Sequence, residues 1–233
     1  WMSVVKLSRQ PSRKWTAILA ASMALVILTG LPAMAVAAAG SGFALAVGLW
    51  LCKEARSGLL LQWGLANLAG ALLAAVQLIP TAQLNFHSIA QYRADWMGTG
   101  GGLPLQSLVS LILPNHYGIF DLSQYRGPWE PTFLYTYSSL AGLALAVAAA
   151  LSRHNRTHIL FSSLTALFAL AMLGDSTPAG RIVFLSLPPT VRAGLHPEFT
   201  LAAFSLALAT LAALGAQRFL RRPALAWTAV AVV

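Results

Sequence analysis

Charge is what this sequence has least of. Asp, Glu, Lys and Arg make up 9% of its 233 residues, whereas a soluble globular domain carries about 25%. That shortage excludes an ordinary water-facing surface. The acids are scarcest, six Asp and Glu against 15 Lys and Arg. Cysteine is nearly absent. A lone Cys52 excludes an internal disulfide, a paired-cysteine redox motif and a cysteine metal cluster, and leaves a small apolar residue at a helix end. What the chain has in abundance is apolar sequence, 58% of all positions. It falls in blocks of about 17–23 residues, the length a helix needs to cross a bilayer. Most blocks have no alternating polar face of the kind a water-soluble fold requires.

The expected fold is therefore all-α, a polytopic transmembrane helical bundle treated as one transmembrane region over residues 1–233. Six full spans are expected over residues 15–30, 33–52, 58–79, 132–151, 158–174 and 200–216, with a turn at Leu31-Pro32 between the first two. A seventh apolar run starts near Ala224 and is too short to cross before Val233. The chain opens on Trp1, and no cleavable signal pattern follows Met2. The expectation is an internal fragment of a longer protein.

The formal charge of +9 brings nucleic acid to mind, but its distribution opposes that reading. The basic residues cluster between apolar blocks: Lys6, Arg9, Arg13 and Lys14; Lys53 and Arg56; Arg153 and Arg156; Arg218, Arg221 and Arg222. No nucleic-acid motif accompanies them. Only Arg93, Arg126, Arg181 and Arg192 fall in the loops on the other side, together with every acid except Glu54. This is the positive-inside pattern, and it puts the first residues in the cytoplasm and two long loops, 80–131 and 175–197, outside.

The spans read this way hold no Asp, Glu, Lys or Arg, and ion-coupled transporters usually keep an ionisable group near the midplane. In span three, Asn67, Gly70, Ala74 and Gln77 recur at helical spacing. That stripe reads first as helix packing through small residues and amides.

The first outer loop runs for about 50 residues, a length that signals function or internal structure. Its apolar stretch Leu103 to Leu113 is too short to span. With Pro104 near its start and Pro114 at its end, it reads as a re-entrant or interfacial helix. The preceding Gly98-Thr99-Gly100-Gly101-Gly102 reads as a flexible hinge, and it lacks the Lys-Ser/Thr ending of a phosphate-binding loop. Around it stand donors and aromatics: Arg93, Asp95, Asn115, His116, Tyr117, Asp121, Tyr125 and Arg126. Arginine grips phosphate with a planar fork, and aromatic rings offer flat apolar faces with polar tips. In the second loop, Asp175-Ser176-Thr177-Pro178 is placed to cap a short helix over residues 179–185. His196 and Glu198 lack a third ligand at metal spacing. The sequon Asn155-Arg156-Thr157 lies in an inner loop and is disregarded.

Several short motifs stand in order along these loops: Gln77-Leu78-Ile79-Pro80-Thr81, Pro104-Leu105, Leu113-Pro114-Asn115-His116-Tyr117-Gly118, Tyr125-Arg126-Gly127-Pro128-Trp129, Gly174-Asp175-Ser176-Thr177-Pro178, and Leu187-Pro188-Pro189 followed by Arg192. The ordered set resembles the YfhO-type bacterial membrane proteins, over residues 28–220. Leu31 departs from that pattern, where the family has histidine, and so does the stretch after Arg192, where His196 is the nearest basic group.

The family is placed among GT-C-like glycosyltransferases. The resemblance therefore implies a multi-pass protein of the bacterial cytoplasmic membrane. It would transfer sugar from a polyprenyl-phosphate donor to a cell-envelope glycopolymer on the outer face. On that reading Arg93 and Arg192 hold the lipid phosphate, and Asn115, His116 and His196 meet the substrate. Asp95 or Asp121 stands as the candidate acid, base or metal ligand. The catalytic base itself is unassigned, because such enzymes carry it in a loop expected to precede Trp1. A divalent metal ion is a candidate cofactor with no assigned site. The competing readings are a transporter or flippase for lipid-linked sugars, a scaffold, and a purely structural bundle.

Overall fold

A computed structural model describes residues 1–88, 101–128, 131–152, 155–186 and 196–220. Among these every regular element is helical. The α-helices are α1 (Met2–Arg9), α2 (Arg13–Leu28), α3 (Pro32–Leu51), α4 (Leu59–Leu73), α5 (Ala75–His87), α6 (Leu140–Leu151), α7 (Arg156–Leu173), α8 (Pro178–Ser186) and α9 (Leu201–Leu220). Short 3-10 turns lie between them. The chain divides into two compact units, one formed by residues 1–103 and 170–203, the other by 104–169 and 204–233.

In the first unit α2 lies along α4. Leu19, Ala20, Met23 and Ala24 of α2 and Ala66 and Gly70 of α4 are buried. A Cβ added at Gly70 would sit 2.7 Å from the Ala20 carbonyl oxygen and 2.8 Å from Met23 Cβ. Glycine is what lets the two backbones come this close. The amphipathic α1 buries Val4 and Leu7, and the indole Nε1 of Trp1 donates to Ser41 Oγ on α3 at 3.2 Å. Phe43 of α3 meets Trp63 of α4 with ring centroids 5.2 Å apart.

In the second unit Ala146, Ala149, Leu160, Leu164, Phe168, Ala207, Leu208 and Leu211 are buried. Gly215 rests against the carbonyl of Leu145, leaving no room for a Cβ.

Among the described residues, three helical stretches are long and apolar enough to cross a membrane: residues 33–51, 156–176 and 197–217. Only 28%, 33% and 33% of their apolar windows are buried within the protein. Large side chains such as Leu61 (68% exposed), Leu72 (68%) and Leu151 (78%) face outward. Apolar surface on this scale needs a non-aqueous neighbour.

The expected count of six spans plus a seventh is not reached. Span three is broken: α4 and the first part of α5 bend by 70° at Ala74. Counted as one span, this pair would bring the number to four. Span four shrinks to the 12 residues of α6, because residues 131–134 form a 3-10 turn and Ser139, at φ 62, caps α6 by accepting from Gly142 N at 3.0 Å. Twelve residues reach only about 18 Å against a hydrocarbon core of about 30 Å. Span one becomes the 16-residue α2. The seventh run lies outside the described residues. The stretches that do qualify take in Arg156, Asp175 and Glu198 near their ends, so they are not wholly free of ionisable groups.

Candidate functional site

Residues 104–128 build the better-formed of the two loop regions. Residues 105–111 form a 3-10 helix, not the α-helix expected for this stretch. Its geometry eclipses positions three apart, and the pair so aligned is Ser107 and Ser110, 1% and 3% exposed. Ser107 Oγ donates to the Pro104 carbonyl at 2.6 Å. Leu105, Ile112 and Leu113 are exposed instead. Two buried serines with exposed apolar residues at either end of the turn are the reverse of a water-facing segment.

The chain then reverses at Asn115, which adopts a left-handed φ of 57. Gly118 N donates to the Asn115 carbonyl at 3.0 Å, and Phe120 N donates to Asn115 Oδ1 at 3.0 Å. Asparagine tolerates this conformation because its side chain can replace a backbone acceptor. Gly118 has φ 70, and a Cβ there would lie 2.6 Å from the Gln124 carbonyl oxygen. Asp121 Oδ1 accepts from Ser123 N at 3.0 Å and from Ser123 Oγ at 2.7 Å, capping the 3-10 turn 122–124. Arg126 N donates to the Tyr117 carbonyl at 3.1 Å and closes the loop. Two tyrosines anchor it from outside: Tyr117 OH donates to the Gln106 carbonyl at 2.7 Å and Tyr135 OH to the Ile119 carbonyl at 2.8 Å.

This geometry sorts the candidates. Asn115 and Asp121 spend their side-chain oxygens on the loop itself. The hydrogen bonds from Ser123 hold the Asp121 carboxyl below its ordinary range, which suits a charged acceptor better than a proton donor. His116 is exposed, its ring edge-on to Tyr117 at 4.7 Å between centroids. Arg93, Asp95 and Arg192 lie outside the described residues.

His196 belongs to the first unit. Its Nδ1 lies 3.1 Å from Oε1 of Glu198. Glu198 is 5% exposed, and its Oε2 is buried without a hydrogen-bond partner. The short 3-10 turn that carries Glu198, residues 197–200, packs on α3.

In the same unit the expected glycine hinge is a fixed junction where it is described. Gly101, Gly102 and Leu103 are buried. Leu103 N donates to the Met172 carbonyl at 2.7 Å, and Asp175 N to the Gly101 carbonyl at 3.0 Å. The cap of α8 is Thr177, whose Oγ1 accepts from Gly180 N at 3.1 Å. Asp175, the residue first suspected, gives its backbone N–H to the junction instead.

Sequence reasoning passed over Gln106 and Tyr135 as loop-builders, whereas Thr177 lies in the run expected to cap the helix. The first two act through pairings 11 and 16 residues apart, for which no local pattern exists. Among the described residues no group of three or more His, Cys, Asp or Glu is placed to hold a metal ion. Comparison with known protein families, with curated proteins and with solved structures yields no match.

Proposed function

We propose that this chain is part of a polytopic membrane glycosyltransferase of the GT-C-like kind. It would use a polyprenyl-phosphate sugar at the outer face of a bacterial cytoplasmic membrane, with its first residues in the cytoplasm. The reading rests on the ordered motifs that resemble the YfhO-type proteins. The observation that carries it furthest is the segment 105–113, in which Ser107 and Ser110 are buried while Leu105, Ile112 and Leu113 are exposed, followed by the exposed His116. Such a segment seats Leu105, Ile112 and Leu113 in lipid and holds the polar loop at the headgroup level, where a lipid-linked sugar presents its phosphate and its hydroxyls. His116 then orients the sugar, and Arg93 and Arg192 neutralise the departing phosphate.

The test is His116→Ala in the full protein, assayed for sugar transfer from a polyprenyl-phosphate donor. Loss of one orienting hydrogen bond lowers transfer about tenfold with the melting temperature unchanged. Wild-type transfer by this variant would sink the assignment.

A flippase for the same lipid-linked sugar is the second reading. The 70° break between α4 and α5 favours it, because broken helices line the binding sites of many transporters. It predicts movement of the lipid-linked sugar between leaflets of a reconstituted vesicle, with no transfer to an acceptor.

A further inference from the structure

Two adjoining clefts open in the first unit, of about 530 and 290 Å³, sharing Pro11 and Gln62. They lie between the start of α2, the loop before α4 and the end of α1. Arg13 and Arg56 stand on their walls with Ser12, Thr16, Ser57 and Gln62. No carboxylate lines either cleft, and among the described residues neither guanidinium lies in a salt bridge. Ser12 precedes α2 without capping it, so its hydroxyl is not spent on the helix. The floor is apolar, with Ala17, Ala20 and Ala69 on one side and Leu7 and Leu59 on the other.

We propose that these clefts together form a binding site for the phosphate of an anionic membrane lipid. Two guanidinium forks with hydroxyl and amide donors match the oxygens of a phosphodiester. Ala17, Ala20 and Ala69 offer the start of an acyl chain an apolar surface beside the phosphate. The neighbourhood argues for lipid over free phosphate. Trp15 sits in the first turn of α2 with Lys14 Nζ 5.8 Å and Lys6 Nζ 6.0 Å from its ring centroid. Tryptophan flanked by lysines is the pattern of a helix end at a headgroup layer. Farther along α2, Leu25 is 67% exposed, so the helix bearing Arg13 presents apolar surface to its surroundings. The proposal rests on membrane residence of these helices and is independent of sugar transfer.

The experiment is native mass spectrometry of the full protein released from mixed phosphatidylglycerol and phosphatidylcholine nanodiscs. The wild type retains phosphatidylglycerol in preference to phosphatidylcholine. Arg13→Gln and Arg56→Gln each reduce that retention about tenfold, the loss of one charge-assisted fork. Lys53→Gln removes the same charge outside the clefts and leaves retention unchanged. Inorganic phosphate displaces the lipid only at concentrations far above the lipid's own. Equal retention of the two lipids by the wild type overturns the proposal. So does a Lys53→Gln loss as large as that of the arginine variants, which would mark a diffuse charge effect. Displacement by phosphate at equal concentration reassigns the site to the free ion and overturns the lipid. Circular dichroism matching the wild type confirms that each variant is folded. Where an arginine-to-glutamine variant fails to fold, Arg13→Lys and Arg56→Lys keep the charge, remove the fork, and are expected to show a smaller loss; unchanged retention in both overturns the proposal.

Discussion

Gly102 and Gly174 meet backbone to backbone: a Cβ on Gly102 would lie 2.6 Å from Gly174 N, and one on Gly174 would collide with the Gly101 carbonyl. Both glycines also hold positive φ, 117 and 48. The contact docks the start of the 101–128 segment onto the end of α7.

Gly174→Ala is therefore expected to cost about 2–4 kcal/mol, combining a left-handed alanine with an overpacked contact. Gly40→Ala is the control. That glycine lies in α3 with nothing within 4 Å of its missing Cβ, so alanine there is neutral or stabilises by up to about 1 kcal/mol. Thermal unfolding in detergent separates the two. Similar melting temperatures for both variants would count against a rigid junction.

The α2–α4 contact predicts a second contrast. Gly70→Ala places a methyl group against Ala20 and Met23 and costs about 1–3 kcal/mol. Gly64→Ala, on the same helix, meets nothing within 4 Å and is neutral or stabilises by up to about 1 kcal/mol. Urea unfolding of the two variants in the same micelle decides it. A neutral Gly70→Ala would mean that the helices do not pack this closely.

Asp121 carries a pH dependence whose sign is determined. Its folded carboxyl titrates below the ordinary value of 3.8, chiefly through the bonds from Ser123. A depressed carboxyl stabilises the loop above its unfolded value, and that contribution is lost as pH falls from 3.8 through the folded value. Carbon-13 NMR titration of the carboxyl should show the low midpoint, and Ser123→Ala should move it back up. A midpoint indifferent to Ser123→Ala would refute the hydrogen-bonded cap.

The His196–Glu198 pair yields an asymmetric prediction. His196→Ala leaves a buried carboxylate with neither oxygen paired. Removing one member of a buried pair costs about 3–5 kcal/mol. Because the His196 side chain is 36% exposed, water can replace part of its role, and about 1–2 kcal/mol is expected. Glu198→Gln keeps the shape without the charge and should cost less than His196→Ala. Chemical denaturation of both variants tests the order, and the reverse order would show that the imidazole is not what holds the carboxylate.

Much of the helical layout was legible in the sequence. Residues 33–52 and 158–174 were expected as spans, and α3 and α7 cover residues 32–51 and 156–173. A long apolar run in lipid has no water to bond its N–H and C=O groups, so it must bond them within itself as a helix. Local composition is enough to locate such runs. Membrane-crossing length was less legible, because it depends on where a helix breaks. Pro80 looked like the end of span three, yet the helix passes through it to His87, and the break falls earlier, at Ala74. Ala74 is fully buried and lies six residues before Pro80, beyond the turn that a proline ring disturbs.

The candidate site was legible only as a set of side chains. Their roles came from contacts between distant backbones. Tyr117 reaches the Gln106 carbonyl, Tyr135 reaches that of Ile119, and Gly101 to Leu103 pair with residues 172–175. Those contacts separate Asn115 and Asp121, which build the loop, from His116, which the loop presents. By itself the sequence determined that this chain is helical, apolar and organised around basic clusters between its helices, because those properties are local and additive. Where the apolar runs bend, which serines turn inward and which arginines share a cleft were decided by tertiary structure, because each depends on partners that no short window of sequence contains.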